Sequence, residues 1–169
     1  GAGTSIAGNA VGTGIVVDTL RHLNKVLSID AEARTAVVQP GVVHADLQRA
    51  AAPHGLRFGP DPSTHTRCTV GGMIGNNACG SRALGYGRTV DNVVDLVGAH
   101  GPGAADVETA LAALVDDHLA VIRQGFGRFT RQVSGYSMEH LLPENGRNLD
   151  RFLVGSEGTL AVVLEATVS

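Results

Sequence analysis

Three clusters of glycine, at 1–14, 71–87 and 155–158, constrain this chain more than any other feature. Glycine supplies 23 of the 169 residues, about twice the usual ~7%. Each cluster lies beside apolar segments, so none is low-complexity filler. Glycine in such places brings backbone close to something, or holds it at positive φ. The fold is therefore expected to be built around loops that meet a ligand or another stretch of backbone at close range.

Local pattern places elements between the clusters. Ile15, Val16 and Val17 read as a short strand. Residues 26–30 and 35–39 flank a polar turn and read as a hairpin, stopped by Pro40-Gly41. Val43, Leu47, Ala50 and Ala51 then recur at helical spacing, and His54-Gly55 ends that helix. Residues 59–88 are rich in Gly, Pro, Asn and Ser with little periodicity, and a loop of that length is usually functional. Residues 93–97 read as a strand and 106–123 as an amphipathic helix. Residues 152–154 and 161–168 read as strands joined in a hairpin by Gly155-Ser156-Glu157-Gly158. Strand pairs mixed with helices, without strict βαβ alternation, give an α+β class.

Composition closes off several function classes. Hydrophobic residues make up 43% of the chain, enough for a core, and thirteen basic against sixteen acidic side chains leave a net charge of -3. That balance offers no polybasic surface to nucleic acid or membrane. Cys68 and Cys79 are too few for a disulfide framework and lack metal-ligand spacing. They read as reduced thiols of a cytoplasmic protein, or of one peripheral to a membrane in a longer form. No apolar run approaches the ~18 residues of a membrane span, and neither a signal peptide nor an initiator Met is present.

The first glycine loop excludes two better-known phosphate binders. A dinucleotide fold needs G-x-G-x-x-G, but the sixth position is Ile6. Gly3-x-x-x-x-Gly8 has P-loop spacing, yet Asn9-Ala10 follows in place of Lys and Ser or Thr. What remains is a run of backbone N–H groups with the hydroxyls of Thr4 and Ser5 and no Lys or Arg. Two readings stand: a backbone nest for a diphosphate, or an ordinary Gly-rich turn. The second cluster runs from Thr69 through Gly71, Gly72, Gly75, Asn76, Asn77 and Gly80 to Ser81, with Pro60, Asp61 and Ser63 before it and Tyr86-Gly87 after. Adjacent glycines let backbone approach a flat ring, and Asn and Ser supply edge donors and acceptors, which is what an isoalloxazine requires.

Taken together, Gly1 to Gly8, Gln39-Pro40-Gly41-Val42, Pro60 to Ser63, Thr69 to Ser81, Tyr86-Gly87 and Gly155 to Leu160 resemble the FAD-binding domain of the vanillyl-alcohol oxidase/p-cresol methylhydroxylase (PCMH-type) superfamily. The branch most similar is that of glycolate oxidase subunit, D-lactate dehydrogenase and D-2-hydroxyglutarate dehydrogenase. The resemblance covers nearly the whole chain. It implies a PCMH-type fold of two α/β subdomains. Residues 1–58 would be the remainder of the first, lacking its N-terminal βαβ unit and a preceding arginine. Residues 59–169 would be the second, with an antiparallel sheet and helices. It implies FAD as cofactor and oxidation of a D-2-hydroxy acid of lactate, glycolate or 2-hydroxyglutarate type to the 2-oxo acid.

Residue by residue, the resemblance implies that Gly1, Ala2, Gly3, Thr4 and Ser5, with Gly8 and Asn9, cradle the pyrophosphate. Pro60, Asp61 and Ser63 would lie near the cofactor. Thr69, Gly71, Gly72, Gly75, Asn76, Asn77, Gly80, Ser81 and Tyr86 would line the ribityl and flavin region. Gly158, Val162 and Val163 would follow the adenine-ribose half. Related oxidases attach flavin through a histidine at the position of Thr4, so FAD here is expected to be non-covalent. The cap domain in which the family keeps its substrate arginine, metal-binding histidines and catalytic base has no counterpart in the chain, and the piece alone is expected to lack turnover.

No catalytic residue is assigned, and no metal ligand. Of seven histidines none forms a ligand pair, and His65, in the loop after Pro60, is the one to watch. The stretch 98–103 reads as a shortened version of the family's strand-turn-strand. Phe126, Phe129 and residues 134–143 resemble the segment of large bacterial members with a fused iron–sulfur domain, although no cysteine cluster is present to hold one. Two other functions share these residues: a flavin-binding fragment without turnover, and a relative such as an enolpyruvyl sugar reductase. The electron acceptor is unspecified by the sequence.

Overall fold

The computed structural model describes residues 1–5, 10–98, 104–129 and 135–169. Its frame is a four-stranded sheet of order β1-β2-β4-β3, antiparallel throughout: β1 (Val26–Asp30), β2 (Thr35–Val38), β3 (Val93–Gly98) and β4 (Val163–Val168). The β1–β2 hairpin forms because Asp30 Oδ1 accepts from the amides of Glu32 (3.0 Å) and Ala33 (2.9 Å), a side-chain-built turn. Arg34 then takes φ 58°. Ala36 and Val38 on β2, with Ala166 and Val168 on β4, point to one face and are buried. The sheet joins residues from both sides of position 58.

Helix α1 (His44–Ala51) covers that face, and its chain leaves through Gly55 at φ 68°. Helix α2 (Val70–Asn76) lies beside it and drives Val70, Met73 and Ile74 into the same core as Val38, Val42, Leu47, Phe58, Val90 and Val154. A short helix α3 (Ala83–Tyr86) follows. Helices α4 (Ala104–Asp117) and α5 (Leu119–Gly125) form a second cluster around Val115, Ile122, Leu141, Leu142 and Phe152, the last on α6 (Leu149–Leu153).

Five expectations need correction. Ile15, Val16 and Val17 form no strand; Ile15 is 96% exposed, and no described strand pairs with them. The stretch 59–88 is not structureless, since it contains α2 and α3. The helix expected at 106–123 breaks at His118, whose backbone leaves the helical range (φ -121°, ψ 18°) and whose ring lies 3.0 Å from the Leu114 carbonyl. Finally, residues 152–154 are no strand and 155–158 no hairpin. Phe152 and Leu153 end α6, started by Asn148, whose side chain accepts from the Arg151 amide at 2.8 Å. A short apolar run cannot by itself distinguish strand from buried helix. The strand after it begins at Val163 rather than at 161. The stretch 99–103 lies outside the described residues, as does Ser134.

Candidate functional site

Helix α2 organises the site, and its sequence explains its ends. Thr69 is its N-cap, with Oγ1 accepting from the Gly72 amide at 3.2 Å. Asn77 ends it at φ 46°, a left-handed value that Asn tolerates, and its Oδ1 accepts from the Val90 amide at 3.0 Å. The two adjacent glycines divide their work. Gly71 donates to the Pro40 carbonyl at 2.8 Å, and a Cβ there would come 2.6 Å from Pro40 Cβ. Gly72 is exposed, with only Thr69 Oγ1 within 4 Å of such a Cβ, at 3.2 Å. One glycine allows packing, and the next leaves bare backbone facing outward.

The first glycine loop lies along that bare face. A Cβ on Gly1 would come 2.8 Å from Thr69 Oγ1, and Asn76 Nδ2 donates to Ser5 Oγ at 2.7 Å and to the Gly72 carbonyl at 3.2 Å. Gly3 sits at φ 63°. Among the described residues, the amides of Ala2, Gly3, Thr4 and Ser5 make no backbone hydrogen bond. Such unspent donors, next to a left-handed glycine, suit an anion. No charged side chain occurs within 69–81 or 1–5, so a diphosphate here would be held by amides and hydroxyls. Gly8 and Asn9 lie outside the described residues.

The far end of α2 is closed by the third cluster. The Gly155 amide donates to the Ile74 carbonyl and the Glu157 amide to the Gly75 carbonyl, both at 2.9 Å. Three residues of this turn have positive φ: Gly155 (90°), Glu157 (55°) and Gly158 (74°). The turn thus gives the Gly75 carbonyl a partner and adds a second donor to the Ile74 carbonyl, which also accepts from the Asn77 amide at 3.2 Å. Val162 and Val163 lie further on, where β4 begins beside Gly98.

A second patch is built by the loop after Pro60. Gly80 backs onto Asp61 so closely that a Cβ would be driven into the Asp61 carbonyl. The Asp61 carboxylate accepts from the Arg82 amide and pairs with its Nε, each at 3.2 Å. Gly59 leaves room for Tyr86, over whose ring the Arg57 guanidinium lies at 5.5 Å. Pro60 is buried, while Ser63 and Ser81 are exposed. Burial pushes the Cys68 thiol above its ordinary range, so it is an inert core residue.

The residues anticipated from sequence therefore fall into two groups. The structure brings Gly1, Ser5, Thr69, Gly72, Asn76, Gly75 and the 155–158 turn together around α2, and Asp61, Gly80 and Tyr86 around the Pro60 loop. Sequence reasoning missed α2 itself, Arg82, and the Gln48 side chain, which exchanges two bonds with the Phe58 backbone (2.7 and 3.2 Å). A signal for α2 was present: Thr69 as cap, then Val70, Met73 and Ile74 at helical spacing. A cavity of about 380 Å³ lined by Leu111, Ala112, Leu141, Arg147 and Leu149 takes in none of the anticipated residues. Among the described residues no group of His, Cys, Asp or Glu could hold a metal, and no helix is long and apolar enough to cross a membrane.

Comparison with known proteins identifies a family. Residues 1–100 match the family described as FAD binding domain. The whole chain is 37% identical to D-2-hydroxyglutarate dehydrogenase of Pseudomonas putida, covering 19% of that protein. Over 99% of its length it is 39% identical to glycolate oxidase subunit GlcD of Bacillus subtilis and 40% identical to D-lactate dehydrogenase of Archaeoglobus fulgidus, covering 30% and 31% of them. The chain thus spans 19% to 31% of the length of these relatives. Among solved structures, alkyldihydroxyacetonephosphate synthase superposes on 88% of the chain with a TM-score of 0.57 and 23% identity, covering 21% of that chain; this is a likeness of fold.

Proposed function

The chain belongs to the FAD-binding domain family, and on that premise we propose that it is the cofactor-holding part of a flavoenzyme that oxidises a D-2-hydroxy acid to the 2-oxo acid. The observation that carries the substrate class is the identity of 37–40%, over 99% or more of the chain, to three proteins named for 2-hydroxyglutarate, glycolate and lactate. FAD, when bound, supplies the acceptor for the two electrons and the hydrogen leaving the hydroxy-bearing carbon.

The residues of this chain hold the cofactor and keep it oriented. In this reading the free amides of Ala2 to Ser5 take the diphosphate, with Asn76 fixing Ser5 in place. The exposed backbone at Gly72 meets the flat part of the cofactor, because a side chain there would stand in its way. The Asp61–Arg82 pair anchors the turn that carries Ser81. Thr4 has no ring nitrogen with which to attach flavin, so the cofactor is held without a covalent bond. The base and the clamp for the substrate carboxylate belong to a cap domain of the longer protein, which also delivers electrons to a further carrier.

The test is anaerobic mixing of the full-length protein with D-lactate, glycolate and D-2-hydroxyglutarate, without nicotinamide. At least one acid should bleach the flavin absorbance. Bleaching by NADPH and by none of the acids would instead make the protein a reductase.

A further inference from the structure

His44, the first residue of α1, is 2% exposed. Its Nε2 lies 2.7 Å from the Pro60 carbonyl. A carbonyl only accepts, so Nε2 carries the ring hydrogen and donates it. The Gln48 amide nitrogen, 3.1 Å from the same Nε2, donates one of its two hydrogens to the Phe58 carbonyl. Nδ1 is buried and has no hydrogen-bond partner among the described residues. A bare lone pair in that place already carries a desolvation cost, and a second ring proton would raise it further by putting a cationic donor against nothing.

The groups facing the ring favour the neutral form on balance. His65 stands edge-on at 6.1 Å and Phe58 lies at 6.0 Å. Burial is the largest influence and lowers the imidazole below its ordinary range; His65 and Arg57 act in the same direction, while the Pro60 bond and Asp61 oppose them. The Asp61 carboxylate is itself committed to Arg82. The rest of the loop is tied to the same helix start, with the Ala45 amide on the His65 carbonyl (3.0 Å) and the His44 amide on the Cys68 carbonyl (2.9 Å). From Pro60 the chain passes directly to Asp61, against which Gly80 is packed without space for a side chain.

We propose that His44 is a positioning residue for the cofactor site: its neutral ring latches the Pro60–Ser63 loop to α1, and a second ring proton releases that loop and the Gly80–Arg82 turn. The consequence for the cofactor rests on the flavin reading given above; the latch itself does not. Acid then weakens FAD binding through this residue. The change begins as pH falls below the ordinary imidazole value of ~6.5, since the unlatched state takes up the proton first.

The experiment has two readouts. FAD is titrated into apoprotein between pH 8 and pH 5.5, followed by flavin fluorescence, and hydrogen exchange of the 59–68 and 80–82 segments is followed without FAD. Wild-type affinity should fall about tenfold over that range, with exchange rising in both segments. His44→Gln can still donate to the Pro60 carbonyl but cannot gain a proton; its affinity should stay within about threefold of its pH 8 value. His44→Leu should bind about tenfold more weakly even at pH 8, and His65→Gln should keep the wild-type response. If His44→Gln remains as acid-sensitive as wild type, if wild type does not respond, or if the response disappears with His65→Gln, the latch is wrong. If exchange follows the expected pattern while FAD binds at no pH, the latch stands and the flavin assignment falls.

Discussion

The face around α2 and the cluster under α4 and α5 are held together by opposite means. Around α2 and the adjoining Pro60 loop the decisive contacts are backbone on backbone: Gly71 on Pro40, Gly80 on Asp61, Gly155 and Glu157 on the last carbonyls of the helix. Under α4 and α5 they are side chain on side chain, with Phe152 and Ile122 in the interior and Arg123–Glu144 and Arg147–Asp116 on the surface. Backbone contacts fix geometry closely and have no rotamers with which to yield. Side-chain packing can relax. A surface that must present amides and a flat face to a cofactor gains from the first arrangement, whereas a supporting element manages with the second.

That contrast is broken most directly at Gly80. Gly80→Val sets a branched side chain against the Asp61 carbonyl, a neighbour that cannot rotate away. The expected cost is about 4 kcal/mol or more, seen in denaturant titration as loss of most of the native protein. Phe152→Ala attacks the other region. It removes a ring that is 4% exposed and edge-packed on Tyr136 at 6.2 Å. The expected cost is about 3 kcal/mol, with flavin affinity unchanged for the molecules that remain folded. Flavin loss equal to that of a site variant would mean that the two regions are not separable.

The sequence made the elements legible where one rule acted alone. The hairpin at β1 and β2 followed from apolar runs around a polar turn, and α1 from the spacing of Leu47 and its neighbours. It misled where two rules competed. The glycines of α2 argue against a helix on propensity, yet Thr69 and Asn77 cap it and Val70, Met73 and Ile74 bury it. Tertiary burial outweighed propensity there. The run Phe152-Leu153-Val154 has strand composition, but Asn148 starts a helix just ahead of it. The order of the glycine anchors was visible, but their division into packed and open positions was not. That division depends on Pro40 and Asp61, which are distant in sequence from the glycines they touch.

Gly72→Val sharpens the comparison from the open side. Its neighbour Gly71 could not be replaced without displacing Pro40, whereas at position 72 the backbone is ordinary helix and a Cβ, 3.2 Å from Thr69 Oγ1, asks only that hydroxyl to give by a few tenths of an ångström. Stability should change by less than about 1 kcal/mol, the scale of helix propensity. The isopropyl group would nevertheless stand where the cofactor approaches, so FAD affinity should fall about tenfold to a hundredfold. Melting temperature and flavin titration on the same sample separate the two effects. Full flavin loading would make Gly72 a structural residue like Gly71.

The smallest effect is expected at Glu144, on the α5 side. Arg123 holds its carboxylate through two bonds, from Nε at 2.7 Å and from Nη2 at 2.9 Å. This pairing, with a backbone bond second, lowers the carboxyl from 4.5 to about 2. The sign follows from proton uptake. Between those values the unfolded chain binds a proton that the folded chain does not, so the contribution is present above about 4.5 and fades as pH falls through 2. Both groups stand in water, where an ion pair is screened and its gain is offset by ordering two long side chains. Glu144→Gln should therefore lower the melting temperature only slightly at pH 7, less than any variant above. The difference from wild type should shrink in acid and in high salt, and flavin affinity should not move. A loss as large as that of Phe152→Ala, persisting in 1 M salt, would show that a surface pair carries this half of the molecule.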